Sequence, residues 1–230
     1  MKRGKPVSIR TVSEDELRDM RLFIQRVRAV THVFDHTPRA FTHTYGCQQN
    51  VSDGEKINGM LTEMGFCMTG SPENADLVLY NTCAVRENAE NRVFGNVGAL
   101  KALKAKNPDM VIAVCGCMVQ QEHIAKRMKE RFPFVDLIFG THVLHKFPEM
   151  LYTIYEKGGR LVCIPEEDGV IAESLPVRRE SGIMASIPIM YGCNNFCTYC
   201  IVPKVRGRER SREPGEIIDE VKGLIADGYK

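Results

Sequence analysis

The chain has 230 residues, 43% of them apolar, with nine cysteines, no tryptophan and a formal net charge of +2. That size and apolar share suffice for one or two cored domains. The near-neutral balance excludes a globally basic nucleic-acid coat, so any nucleic-acid surface must be a local patch.

The longest apolar runs, such as 110–117, are too short to cross a bilayer, so no membrane association is expected. Residues 1–10 are basic but lack the apolar stretch of a secretory signal. An odd cysteine count without such a signal points to a reducing, cytoplasmic setting. There thiols serve as metal ligands or catalysts rather than as disulfides.

Residues 1–39 read as an N-terminal extension. Ser13-Glu-Asp-Glu16 is a capping-box pattern, and Leu17, Met20, Phe23, Ile24 and Val27 follow at helical spacing. Arg18, Arg21, Arg26 and Arg28 line the same helix. A solvated amphipathic helix packed on the next domain is preferred to an arm that grips a partner.

Residues 40–160 form a weak repeat of strand and helix. Strands are predicted over 40–45, 76–80, 110–114 and 135–139. Helices are predicted over 52–64, up to 104, up to 130 and over 143–156. The alternation implies a Rossmann-like α/β domain with a parallel sheet, whose ligands sit outside the carboxyl ends of the strands. Cys47, Cys83 and Cys117 each fall just past a different strand, 36 and 34 residues apart. Strands lie about 4.8 Å apart, so three such tips can converge on one cluster, and helix starts nearby favour thiolate charge. Cys67, Cys115 and Cys163 read as small core side chains, although Cys115-Gly-Cys117 is a possible ligand pair. The histidines, His43, His142 and His145 among them, show no ligand spacing and are expected in surface or capping roles.

Residues 161–182 mix proline with charge, including Pro165, Glu166, Glu167, Asp168, Gly169, Pro176 and Glu180, and read as a linker. A strand is then predicted over 183–190. It leads into Gly192-Cys-Asn-Asn-Phe-Cys-Thr-Tyr-Cys200, where Cys193, Cys197 and Cys200 have C-x₃-C-x₂-C spacing. Three thiolates on one loop are one ligand short of a closed zinc site or a fully ligated cubane. Beyond it, Lys204, Arg206, Arg208, Arg210 and Arg212 alternate along the chain. In an extended segment they would share one side suited to phosphates; a solvated loop paired with Glu209 and Glu213 is the plainer reading. A helix is predicted over 215–226.

This cysteine loop resembles that of radical S-adenosylmethionine enzymes. Its continuation, Ile201-Val-Pro-Lys-Val-Arg-Gly207, is similar to the methylthiotransferase family. So are Thr44-Tyr-Gly-Cys-Gln-Gln-Asn50, Asn81-Thr-Cys-Ala-Val-Arg-Glu-Asn88 and Val114-Cys-Gly-Cys-Met-Val-Gln-Gln121. The resemblance covers about residues 40–230, and the form around Cys47 is most like the branch acting on tRNA. It implies two 4Fe–4S clusters and S-adenosylmethionine as cofactors. Cys193, Cys197 and Cys200 would be ligands of the radical cluster, with Tyr199 against the adenine, and Cys47, Cys83 and Cys117 ligands of an auxiliary cluster that holds the inserted sulfur. The implied reaction places a methylthio group at C2 of an isopentenylated adenosine beside the tRNA anticodon, with an electron donor and a sulfur source as further partners. The basic stretch becomes a candidate for tRNA contact.

A TIM-like barrel needs about 250 residues. The segment 183–230 is therefore expected to hold its first βα unit and no more, as in a truncated barrel, with a strand left unpaired on one edge. Two other classes remain open: an iron–sulfur module that carries sulfur or electrons without radical activity, and a zinc protein. A monomer is the expected state, and the family's ribosomal-protein branch is an alternative substrate class.

Overall fold

The structure, a computed structural model, describes residues 10–84, 87–165, 170–171, 173–179 and 182–230. Glu166, Glu167, Asp168, Gly169 and Glu180 of the expected linker lie outside the described residues, as do 1–9 and Val85-Arg86 of the second motif.

Helix α1 (Glu14–Thr31) starts where the capping box puts it. The Ser13 hydroxyl accepts the Glu16 N–H at 3.2 Å, and the Glu16 carboxylate accepts the Ser13 N–H at 3.0 Å. Met20, Ile24 and Val27 face inward and join the core, while Arg18 pairs with Asp15 and Arg26 lies over the rings of Phe23 and Tyr152. The arginines thus sit on a helix that packs on the core through its apolar face.

Six parallel strands form one sheet: β1 (Arg39–Thr44), β2 (Cys67–Met68), β3 (Leu77–Thr82), β4 (Val111–Gly116), β5 (Leu137–Phe139) and β6 (Leu161–Cys163). Their order is β2-β1-β3-β4-β5-β6. Four of the strands match the predicted ones to within two residues. β2 is an addition that short length hides in the sequence, whereas β6 falls on the apolar, strand-like run 161–164.

β3 and β4 are buried on both faces, so their side chains alternate between two cores. Leu77 and Leu79 pack with α1, α2 (Gln48–Glu63) and α5 (Phe147–Lys157). Val78 and Tyr80 pack with α3 (Glu87–Lys106) and α4 (Glu122–Arg131). Each fully buried leucine or valine contributes about 1.5–3 kcal/mol relative to an exposed one.

The helix expected over 143–156 is split: a 3-10 stretch, Thr141–Lys146, precedes α5, whose second residue is Pro148. His142 and His145 lie in that stretch and are buried, not at the surface as expected. Cys67 departs in the opposite direction: it is exposed on β2 at the sheet edge, because β2 has a neighbour on one side alone.

The strand expected over 183–190 shrinks to β7 (Met190–Tyr191). It pairs antiparallel with β8 (Arg210–Ser211), one edge being used, and α6 (Val202–Val205) and α7 (Pro214–Ala226) complete this region. Ile183, Met184 and Ile189 remain exposed. No helix among the described residues is long and apolar enough to cross a membrane.

Candidate metal centre

The sheet reverses direction between β1 and β3. The chain leaves β1 outward to β2, then returns to lay β3 on the other side of β1. At such a switch point the connections diverge and open a crevice beyond the carboxyl ends of the strands. Cys47 follows β1, Cys83 follows β3 and Cys117 follows β4, so the three thiols border this crevice.

Two glycines let the tips close. Gly46 has φ +108°, and a Cβ there would collide with Cys83 Cβ and stand 2.5 Å from its Sγ. Gly116 has φ +100°, and its Cβ would collide with the Thr82 carbonyl and stand 2.6 Å from Asn81 Oδ1.

Asn50, fully buried on the first turn of α2, ties the three tips together. Its amide nitrogen donates to the Tyr45 carbonyl at 2.9 Å and the Thr82 carbonyl at 2.8 Å. Its Oδ1 accepts from the Cys117 thiol at 3.4 Å. Asn81 donates in turn to the Asn50 carbonyl at 2.8 Å.

Cys47 is the N-cap of α2. A hydrogen bond with the Cys83 thiol draws its own thiol down to about 5 against burial, helped by the N–H groups of Asn50 and Gln49. Burial pushes Cys117 up to about 11, opposed by Arg206, whose Nε donates to its Sγ at 2.9 Å. Cys115 points to the other core and is pushed far up by burial, as expected of a core thiol. Among the described residues no three Cys, His, Asp or Glu side chains stand close enough together to hold a metal ion.

The second cysteine loop lies at the surface. Cys197 is exposed and Cys193 and Cys200 are half-buried. The Cys193 N–H donates to the Gly207 carbonyl at 3.2 Å, and the Cys200 N–H to the Cys197 carbonyl at 3.0 Å. Phe196, at φ +45°, takes a left-handed conformation that tightens the loop at a cost of about 1–2 kcal/mol. Tyr199 is 91% exposed.

Residues 39–140 match the family described as "Uncharacterized protein family UPF0004", and residues 187–230 match the Radical SAM superfamily. The tRNA-2-methylthio-N(6)-dimethylallyladenosine synthase of Clostridium botulinum (strain Loch Maree / Type A3) is 54% identical over 190 residues, 83% of this chain and 42% of that protein. The synthase of the same name from Clostridium perfringens (strain 13 / Type A) is 54% identical over 187 residues, 81% of this chain and 42% of its own length. The chain is similar to the methylthiotransferase family of radical S-adenosylmethionine enzymes over both matched regions. It spans about 42% of the length of these curated relatives.

Within this chain the five alternating cations do not share an exposed side, because 202–205 is helical and the segment folds back on the sheet domain. Lys204 is exposed and Arg208 half-buried near the Phe196 ring. Arg206 and Arg210 are buried. The Arg212 guanidinium is held by Glu173 and Glu220. The expectation of a five-cation phosphate stripe is thereby corrected to two outward residues.

Sequence reasoning did not single out Asp53, held Asn50 only as part of the motif around Cys47, and placed Arg206 among the cations for RNA instead of at the first triad. The available signal was positional: Asn50 and Asp53 lie one turn apart on the helix that Cys47 starts. Burial of α2's polar residues depends on a segment distant in sequence, since Lys56 donates to the Tyr191 hydroxyl at 2.8 Å and Glu55 pairs with Arg179 at 3.3 Å.

Proposed function

We propose that this chain supplies the cluster-binding part of a cytoplasmic tRNA methylthiotransferase, with Cys47, Cys83 and Cys117 holding one 4Fe–4S cluster and Cys193, Cys197 and Cys200 a second. One observation carries the reading. Cysteines follow three neighbouring strand ends whose tips Asn50 ties together at the sheet's switch point, in the same chain as the exposed C-x₃-C-x₂-C loop.

The donor set fits the group. Three thiols border each site, Gly46 and Gly116 leave the first one clear of Cβ atoms, and the start of α2 favours negative charge there. A triad leaves one iron of a cubane open to an outside ligand. When bound, the clusters and S-adenosylmethionine supply the radical and sulfur chemistry.

The chain's own residues bind, orient and shield. Tyr199, with its ring in solvent, suits stacking on an adenine, and Lys204 and Arg208 suit contact with RNA phosphates. The name of the relatives supports a dimethylallyl-modified tRNA adenosine as substrate. An unpaired anticodon-loop base can be splayed toward the exposed loop. An electron donor and a sulfur source complete the partners, and the monomer is the working unit.

Anaerobic reconstitution of the chain with iron and sulfide tests the reading. We expect about eight iron atoms per chain, four per cubane, and about half that number in Cys83→Ala and in Cys197→Ala. Colourless protein carrying zinc instead of iron overturns it. The activity is read in a chimera in which this chain replaces the matching residues of the Clostridium botulinum relative. Cys197→Ala should abolish S-adenosylmethionine cleavage, whereas Cys83→Ala should spare cleavage and abolish methylthiolation of the RNA.

A further inference from the structure

We infer that Arg206 is a positioning residue that couples the two cysteine triads, seated on the first while anchoring the loop that carries the second. The inference rests on the reading of both triads as cluster sites.

Arg206 follows the second triad closely in sequence, yet its side chain ends at the first. The guanidinium is buried and each nitrogen has a different partner. Nε donates to Cys117 Sγ at 2.9 Å, NH2 to Asn50 Oδ1 at 2.6 Å and NH1 to Asp53 Oδ2 at 2.6 Å. A planar fork serves three acceptors at fixed angles; a lysine ammonium on a flexible stem does not reproduce that arrangement.

Its backbone faces the other way. The Arg206 N–H donates to the Val202 carbonyl at 2.8 Å, and the Arg206 carbonyl accepts from Arg210 at 3.1 Å. The next residue, Gly207, accepts the Cys193 N–H. A shift of the guanidinium is therefore passed through two peptide units to the start of the second cysteine loop.

The electrostatics give this contact a direction. A buried guanidinium is costly unless paired, and Asp53 supplies one carboxylate for it. Three thiolates add negative charge at the first triad, and Arg206 is the cation placed in hydrogen-bond contact with one of them. Filling the first site thus strengthens the docking of 202–212. By linkage, docking of that segment favours the charged first site equally. Both triads then share one geometry instead of moving on independent loops.

The test compares wild type with Arg206→Gln and Arg206→Lys in the 230-residue chain. In reduced, iron-free protein, alkylation of Cys117 by iodoacetamide is followed by peptide mass spectrometry, together with amide exchange over 189–212. In Arg206→Gln we expect Cys117, buried under the docked 202–212 segment, to become accessible as that segment lifts and to react about tenfold faster or more. Exchange over 189–212 should rise while β3 and β4 stay protected.

After reconstitution in a Cys197→Ala background, which leaves the first triad, the midpoint potential of the cluster should become more negative in Arg206→Gln. A purely structural role would not move it in that direction, since removal of a cation disfavours the reduced, more negative form. Unchanged Cys117 reactivity and unchanged exchange overturn the inference. Should Arg206→Gln lose protection in the sheet as well, Arg206→Lys decides by the same two rates. If wild type takes up no iron, the cluster reading fails, while the iron-free measurements still decide the coupling.

Discussion

Asn50 concentrates the site's architecture in one side chain. Replacing it with Ala strands the Tyr45 carbonyl and one arm of Arg206 in a buried setting, and leaves the Thr82 carbonyl with the Cys117 N–H. Leaving a buried polar group without its partner costs about 1–3 kcal/mol, so Asn50→Ala is expected to lower stability by about 2–4 kcal/mol. Urea unfolding at constant m-value measures this; a loss below about 1 kcal/mol would mean that water replaces the amide without penalty. Gly46→Ala attacks the same point by sterics. The left-handed φ and the collision with Cys83 cannot both be relieved without moving a proposed ligand. Reconstituted Gly46→Ala should bind fewer irons than wild type; a full complement would show that the tip of β1 gives way freely.

Between α1 and β1, a different element junction is held by charge. His36 Nδ1 contacts Asp35 at 2.7 Å and its Nε2 contacts Asp76 at 2.9 Å. Asp76 also accepts the Arg39 N–H at 2.7 Å, so it pins the start of β1. Asp35 first, and then Asp76, raise the His36 imidazolium above its ordinary range. A raised histidine stabilises the fold fully below its unfolded value, near 6.5, and that contribution fades as pH rises through the higher folded value. His36→Ala should therefore lower Tm relative to wild type at pH 5.5, and the difference should shrink at pH 9. A gap that widens with pH would reverse the assignment. The group is solvent-exposed, so the effect should also weaken in high salt.

Across the whole molecule, a chain of ions joins the sheet domain to the C-terminal region. Glu55 on α2 pairs with Arg179, Arg179 with Glu220 on α7, Glu220 with Arg212, and Arg212 with Glu173. The Arg179 and Arg212 guanidiniums are largely withdrawn from solvent, so removing one leaves carboxylates facing one another with little screening. Breaking such a network costs about 3–5 kcal/mol when it is fully buried; Glu220, about a quarter exposed, brings the expected loss nearer 2 kcal/mol. Arg212→Ala should release 183–226 to faster amide exchange while the six-stranded sheet keeps its protection. Uniform loss of protection in both regions would show that they unfold as one unit.

Local pattern alone determined much of this protein. Short strand-like runs alternating with helical segments marked β1, β3, β4 and β5, since that alternation is written in the local residues themselves. Ser13 and Glu16 cap α1 through bonds made within four residues of chain. Spacing likewise placed Cys47, Cys83 and Cys117 at equivalent strand ends.

Tertiary structure decided the rest, because the forces involved join residues far apart in sequence. β2 is two residues long and exists through pairing with β1, so no periodicity announces it; yet β2 creates the switch point that the thiols border. The cations after Cys200 look alike in the sequence. Folding back onto α2 turned Arg206 toward Asp53 and Cys117 and Arg212 toward Glu173 and Glu220, and left Lys204 in water. A buried ion needs its partner in place, and that partner is chosen by the fold, not by its neighbours in the chain.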